Sequence, residues 1–229
     1  MISALLVKEK YPMLPVLEKM SWRIRNHINH IDFISVREKS SVYTLRPFTS
    51  KRIFHVLDPT LLLERNTWEI LAKTKKKRKP YLLVYRVSGN EDVFKIAGNI
   101  GRRLNLEVVY INNHKPAIAG IKNIRRVGPR DFITLFRDAS FIVTNSFHGT
   151  TFSVLFNKDF VTVPHEKRGS RMIDLLHLLK LEDRIITNTD QIGEGYRLQV
   201  DYLIPNKILN IERKRSIMFL QRAIEGITE

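Results

Sequence analysis

Short apolar runs alternate with stretches of helical periodicity along most of this chain, and that alternation leaves few folds open. Residues 33–36, 52–57, 81–85, 106–111, 141–144 and 160–163 are rich in Val, Ile and aromatic residues. Most of them are nearly continuous in apolar character, as strands buried on both faces are. Between them, residues 67–79, 91–104, 131–139, 149–157 and 171–179 carry helical patterns. Strand–helix–strand repetition of this kind predicts βαβ units, a parallel sheet and helices on both of its faces, an α/β fold of Rossmann-like type.

Local signals set several boundaries. Gly128-Pro129 precedes a predicted helix with Asp131 in its first turn, Ser170 stands where it can cap the helix that follows, and Asp58-Pro59 closes a strand with a turn-forming pair. The sequence shows no internal repeat, low-complexity tract or long linker. Three parts are expected. Residues 1–30, with a Pro-broken start and a helical stretch over 17–28, read as the remnant of a preceding lobe or a linker helix. Residues 31–200 form the Rossmann-like domain. Residues 201–229 form a basic terminal helix with apolar Ile208, Ile211, Met218, Phe219 and Ile224, packing on the domain or on a partner lobe.

Charge is the strongest global bias. Thirty-nine Lys and Arg against 23 Asp and Glu leave the 229-residue chain at +16, a field that draws nucleic acid, anionic lipid or acidic substrates. The densest run, 73–79, reads as a solvated helix end stopped by Pro80, its cations complementing the helix dipole. Aromatic residues are not interleaved with these charges, so no specific nucleic-acid surface is expected. With no cysteine, disulfides, thiolate nucleophiles and Cys-bound metal are excluded. No apolar run approaches the ~18 residues of a membrane span. The expected place is the cytoplasm, with peripheral association at the inner face of the membrane left open.

In a parallel sheet, ligands gather beyond the carboxyl ends of the strands, near helix N-termini. Candidates therefore sit at those ends: Arg37, Tyr85 and Arg86, the segment from Thr144 to Thr150, and the group from Pro164 to Arg171 with Lys167 in it. The segment 144–150 carries the most chemistry. It ends a strand and opens a helix, so free backbone N–H groups point at a bound anion, and Asn145, Ser146, Gly149 and Thr150 are small enough to let one approach. Gly149 is expected to supply backbone freedom. His148 adds an imidazole that gives or takes a proton near neutral pH. Arg37 and Arg171 offer a two-pronged fork for carboxylate or phosphate, though each has an alternative partner in Glu38 or Asp174. His27 and His30 stand three apart without a third ligand in register, so no metal is expected. No GxGxxG, Walker A, HExxH or GxSxG segment occurs.

Taken in order, residues 32–38, 57–63 with Trp68, Gly128-Pro129, 139–150, Ser170-Arg171 and 181–184 resemble the polysaccharide pyruvyl transferases, and 216–220 resembles that family's terminal helix. The resemblance covers residues 31–229. It implies one lobe of a two-lobed, GT-B-type transferase that moves a pyruvyl group from phosphoenolpyruvate to sugar hydroxyls of a surface or capsular polysaccharide, forming a cyclic ketal. Phosphoenolpyruvate is then the donor substrate, no cofactor is needed, and the acceptor is a glycan or lipid-linked oligosaccharide. Arg37 and His148 stand at the family's Arg and His and are the expected catalytic pair; Ser146 stands where many members have Arg. The N-terminal lobe is expected to be missing, the chain being a truncated reading frame, a fragment, or one part of a split enzyme with a separate N-terminal lobe. Two rivals remain: a GT-B-like glycosyltransferase using a nucleotide sugar, and an inactive or partner-dependent lobe that serves as a binding module.

Overall fold

The computed structural model describes residues 21–74, 79–87, 89, 91–111, 120–165 and 169–226. The chain divides into two compact units, Met1–Asp58 with Asn210–Glu229, and Pro59–Leu209. This division differs from the one the sequence suggests. The stretch 31–58 does not belong to the large sheet, and the boundary falls at Asp58-Pro59 instead of near residue 30.

In the first unit, α1 (Ser21–Asn29) precedes β1 (Ile34–Val36), α2 (Lys39–Leu45) and β2 (Ile53–His55). The two strands pair in parallel with Ile34 opposite Ile53. Ile28, Ile34, Phe48 and Ile53 form their buried core. Lys51 fastens the end of α1, its ammonium donating to the carbonyls of Asn29 and Ile31, each at 2.8 Å. A cation on terminal carbonyls answers both the dipole and the orphan acceptors.

The larger unit contains α3 (Pro59–Leu62), α4 (Arg65–Leu71), β3 (Tyr81–Tyr85), α5 (Asp92–Leu104), β4 (Glu107–Ile111), β5 (Lys122–Ile124), α6 (Pro129–Asp138), β6 (Phe141–Thr144), α7 (Phe147–Leu155), β7 (Asp159–Thr162) and α8 (Ser170–Leu178). The last helix, α9, runs from Leu203 to Glu225. Five strands form one sheet in the order β5-β4-β3-β6-β7, every pair parallel. Alternation along β3 shows both faces covered. Leu82 and Val84 enter a core with Phe94, Ile96, Ala97 and Ile100 of α5. On the opposite face, Tyr81 donates to the Leu135 carbonyl at 2.7 Å and Tyr85 packs edge-on against Phe132 and Phe136 of α6.

The six expected strands are present, but two of them form the separate β1–β2 pair. A seventh, β5, is an edge strand whose half-exposed residues Lys122 and Asn123 give it no apolar signature. Helix α4 ends at Leu71, well short of 79: Ala72 is extended, and the Lys73 N–H donates to Thr134 Oγ1 at 2.8 Å. Lys73 pairs with Asp131 at 2.5 Å; residues 75–78 of the basic run lie outside the described residues. Gly128 and Pro129 open α6 as expected. Ser170 does not cap α8. It is the first helical residue, and Gly169 holds the cap position. No helix among the described residues is long and apolar enough to cross a membrane.

Two expectations follow for stability. Phe94 is fully buried, so Phe94→Ala should cost about 3–5 kcal/mol in urea unfolding, whereas Ile70→Ser, at a side chain 80% exposed, should stay within about 0.5 kcal/mol. Burial also raises the Tyr202 phenol well above 10.0, and its hydroxyl donates to the Lys158 carbonyl at 2.5 Å. The folded state holds this proton more tightly than the unfolded state, so stability is full below pH 10 and falls as pH rises beyond it. Tyr202→Phe should lose about 1 kcal/mol at neutral pH and show a shallower alkaline decline in a pH series of unfolding curves.

Candidate functional site

The strand order reverses between β3 and β6. From β3 the chain steps outward to β4 and β5, then returns to the other side of β3 with β6 and β7. Helices that follow the two central strands leave toward opposite faces at such a point, and a crevice opens beyond their carboxyl ends. Tyr85 and Thr144, the last residues of β3 and β6, lie opposite each other in register. Thr144 Oγ1 donates to the Tyr85 carbonyl at 2.7 Å, and the Asn145 carboxamide accepts the Val87 N–H at 2.9 Å. These bonds clamp the chain leaving β3 to the chain leaving β6.

The turn into α7 is built from its own small side chains. Ser146 is the N-cap, accepting the Gly149 N–H at 3.3 Å, the short polar acceptor that a helix start favours. Its own N–H donates to Thr144 Oγ1 at 3.1 Å, and its carbonyl accepts the Thr150 N–H at 2.9 Å. Gly149 is needed for a different reason from the one the sequence suggests. It lies inside the helix, and a Cβ there would stand 2.2 Å from Thr144 Oγ1. Close approach, not a left-handed backbone, demands glycine. What remains open are the N–H groups of Phe147 and His148, which have no protein acceptor among the described residues, at the positive end of the helix dipole.

Beside those N–H groups stands an exposed His148, its ring edge-on to Phe147 at 5.5 Å. Arg171, from the first turn of α8, sets its guanidinium over the same Phe147 ring at 5.7 Å. Gly169 lets α8 begin there, because a Cβ would stand 2.6 Å from the Pro164 side chain. One aromatic ring thus carries an imidazole and a guanidinium at the mouth of the crevice.

The other candidates fare differently. Asn145, Ser146 and Gly149 build the turn. Thr150 is corrected outright: it is fully buried, and its hydroxyl bonds the Ser146 carbonyl at 3.2 Å and Thr162 Oγ1 at 2.9 Å, so it locks α7 to β7 and faces no ligand. Tyr85 packs against α6, and burial raises its phenol pKa. Arg86 is held in the crevice wall by Glu91 at 2.6 Å, by Tyr110 and by the Phe94 ring at 4.8 Å. Lys167 lies outside the described residues. Arg37 belongs to the smaller unit, where its guanidinium donates to the buried carboxylate of Asp58 at 2.5 Å, not to Glu38. Sequence reasoning had treated Asp58 only as part of a turn and Phe147 not at all; neither spacing nor periodicity marks them.

Among the described residues no group of three or more His, Asp or Glu is placed to hold a metal ion. His30 Nδ1 instead lies 2.5 Å from the Asn26 carbonyl.

Gly149→Ala tests the turn directly. It should cost about 1–3 kcal/mol in chemical denaturation, and adding Thr144→Ala should recover part of the loss, a coupling that a double-mutant cycle reads.

Comparison with solved structures gives the same architecture. A protein assigned as a UDP-N-acetylglucosamine 2-epimerase of Listeria monocytogenes matches with a TM-score of 0.56 at 12% identity, covering 86% of this chain and 60% of its own. MnaA of S. aureus, solved with UDP, matches with a TM-score of 0.53 at 15% identity over 86% of this chain and 61% of its own. At these identities the likeness shows the GT-B-type fold alone, and the chain spans about 60% of the length of either structure. No curated protein matches the sequence significantly. The model of the polysaccharide pyruvyl transferase family matches residues 16–167, a span that holds β1 to β7 and the whole 144–150 turn, and this chain belongs to that family.

Proposed function

We propose that the crevice between β3 and β6 binds phosphoenolpyruvate and that the chain transfers its pyruvyl group to a pair of sugar hydroxyls. The observation that carries this reading is the Phe147 ring flanked by His148 and Arg171 beside the open N–H groups of α7. Phosphoenolpyruvate brings a phosphate and a carboxylate. A helix N-terminus and a guanidinium are suited to two such anions.

In this reading the phosphate rests on the Phe147 and His148 N–H groups and Arg171 takes the carboxylate. Protonated His148 delivers its proton to the methylene carbon while one sugar hydroxyl bonds to the adjacent carbon, and the proton shed by that hydroxyl returns to the neutral imidazole. The second hydroxyl then displaces inorganic phosphate from the same carbon and closes the ketal. Guanidinium and amide dipoles neutralise the charge, so the reading assigns no metal and no cofactor. The resemblance gives Arg37 a part in the same reaction, and the buried Asp58 carboxylate fixes its guanidinium within its own unit. The acceptor class is a glycan or lipid-linked oligosaccharide of a surface polysaccharide, handled on the cytoplasmic side.

The matched S. aureus MnaA, solved with UDP, supports a second reading, a nucleotide-sugar donor in the same crevice. The test is release of inorganic phosphate from phosphoenolpyruvate in the presence of a glycan acceptor. Turnover should fall roughly 10²–10⁴-fold in His148→Ala, and Arg171→Ala should raise the KM for phosphoenolpyruvate. An unchanged rate in His148→Ala removes the histidine from the chemistry. Thermal protection by a UDP-sugar and none by phosphoenolpyruvate selects the second reading. Protection by phosphoenolpyruvate without turnover marks a donor-binding lobe that works only with a partner.

A further inference from the structure

We propose that the C-terminal half of α9 lies on an anionic lipid surface. This part of the helix, residues 210–225, is docked to its own unit along one narrow side. Ser216 Oγ accepts the Leu57 N–H at 2.9 Å, Phe219 meets the Phe54 ring at 4.9 Å, and Arg213, Ser216 and Phe219 are buried. The remaining sides are open, and their composition is not that of a solvated face.

Four large aliphatic side chains stand on the open arc: Ile211, Ile217, Met218 and Ile224, with Ile211 at 54% exposure, Met218 at 51% and Ile224 at 84%. Helical spacing arranges them. Ile211 and Met218, seven residues apart, form one row; Ile217 and Ile224, also seven apart, form another. Lys214, Gln221 and Glu225 fall between the rows, and Arg215 and Arg222 run along the outer side of the first. Glu212 is paired with Arg215 at 2.8 Å, which leaves Glu225 as the remaining carboxylate on this part of the helix.

Water-facing helices of soluble domains put charge where these aliphatics stand. A helix with aliphatic rows bordered by Lys and Arg suits an interface, where apolar groups enter the acyl boundary and cations remain at the headgroups. The surrounding unit has the matching sign. Residues 21–58 hold seven Lys and Arg against three Asp and Glu, and residues 210–226 hold four against two. Charge complementarity therefore selects an anionic surface over a neutral one. The reading is independent of the transfer chemistry.

The experiment is co-sedimentation of the full chain with phosphatidylcholine vesicles, with and without phosphatidylglycerol. The wild type should sediment with the mixed vesicles and far less with the neutral ones. Ile211→Ser with Met218→Ser, which leaves every charge in place, should weaken binding roughly ten-fold or more. Lys214→Ser should weaken it roughly five-fold. Circular dichroism of each variant establishes that it folds, and the three substituted side chains are exposed. Binding that survives Ile211→Ser with Met218→Ser overturns the proposal, because a +16 chain then adheres by charge alone. So does a wild type that stays in the supernatant. A lipid-free dimer dissolved by the same substitutions assigns the rows to a second copy instead.

Discussion

Between the α-carbon of Gly149 and the hydroxyl of Thr144 there is no space for a methyl group. That close approach lets the first turn of α7 sit directly on the end of β6, and the geometry of the crevice descends from it. Thr144 is fully buried and spends its hydroxyl three ways: it donates to the Tyr85 carbonyl, accepts the Ser146 N–H, and packs where a Gly149 side chain would stand. Asn145 then ties the exit of β3 to the exit of β6. A helix N-terminus held this rigidly keeps two N–H groups aimed outward without reorganisation, the condition under which dipoles stabilise a bound anion most effectively. The side chains that look most reactive in the sequence are largely the mortar of the turn. In the proposed reading its chemistry falls to His148, Arg171 and the backbone.

The second constraint is the division of the chain. The α/β sheet is covered on both faces, by α5 on one and by α6 on the other. The smaller unit has two parallel strands and a small cluster, and it recruits the end of α9 through Ser216 and Phe219. Parallel strands are normally covered on both faces, and a two-stranded pair has little apolar area of its own. It follows that the terminal helix contributes to this unit's cohesion while presenting its other sides outward, which is where the unpartnered aliphatics collect.

The sequence made much of this legible. Near-continuous apolar strands announce a parallel sheet because burial on both faces leaves no polar alternation, and the Gly128-Pro129 signal locates a helix start through backbone chemistry that depends on few neighbours. What stayed hidden depends on tertiary placement. Strand β5 reads as polar because it lies at an edge. Helix α4 stops early because Lys73 finds Thr134 across the fold. Thr150 looks like a ligand-facing hydroxyl until Thr162 of the next strand is brought to 2.9 Å. The pairing of Arg37 with Asp58, 21 residues apart, follows from the parallel register of β1 and β2, which no local spacing encodes. Phe147 carries no signal of its own in the sequence, because its place between His148 and Arg171 emerges only when α8 is docked beside α7.

The central claim is that the open end of α7 is the donor's anion site. It is tested most directly by following backbone amide resonances while phosphoenolpyruvate is titrated into the chain, with inorganic phosphate and a UDP-sugar in parallel. The account predicts large, saturable shifts of the Phe147 and His148 amides with phosphoenolpyruvate, at lower concentration than with phosphate, together with smaller shifts at Arg171. Shifts confined to other strand ends, or amides of Phe147 and His148 that move with the UDP-sugar and ignore phosphoenolpyruvate, contradict it.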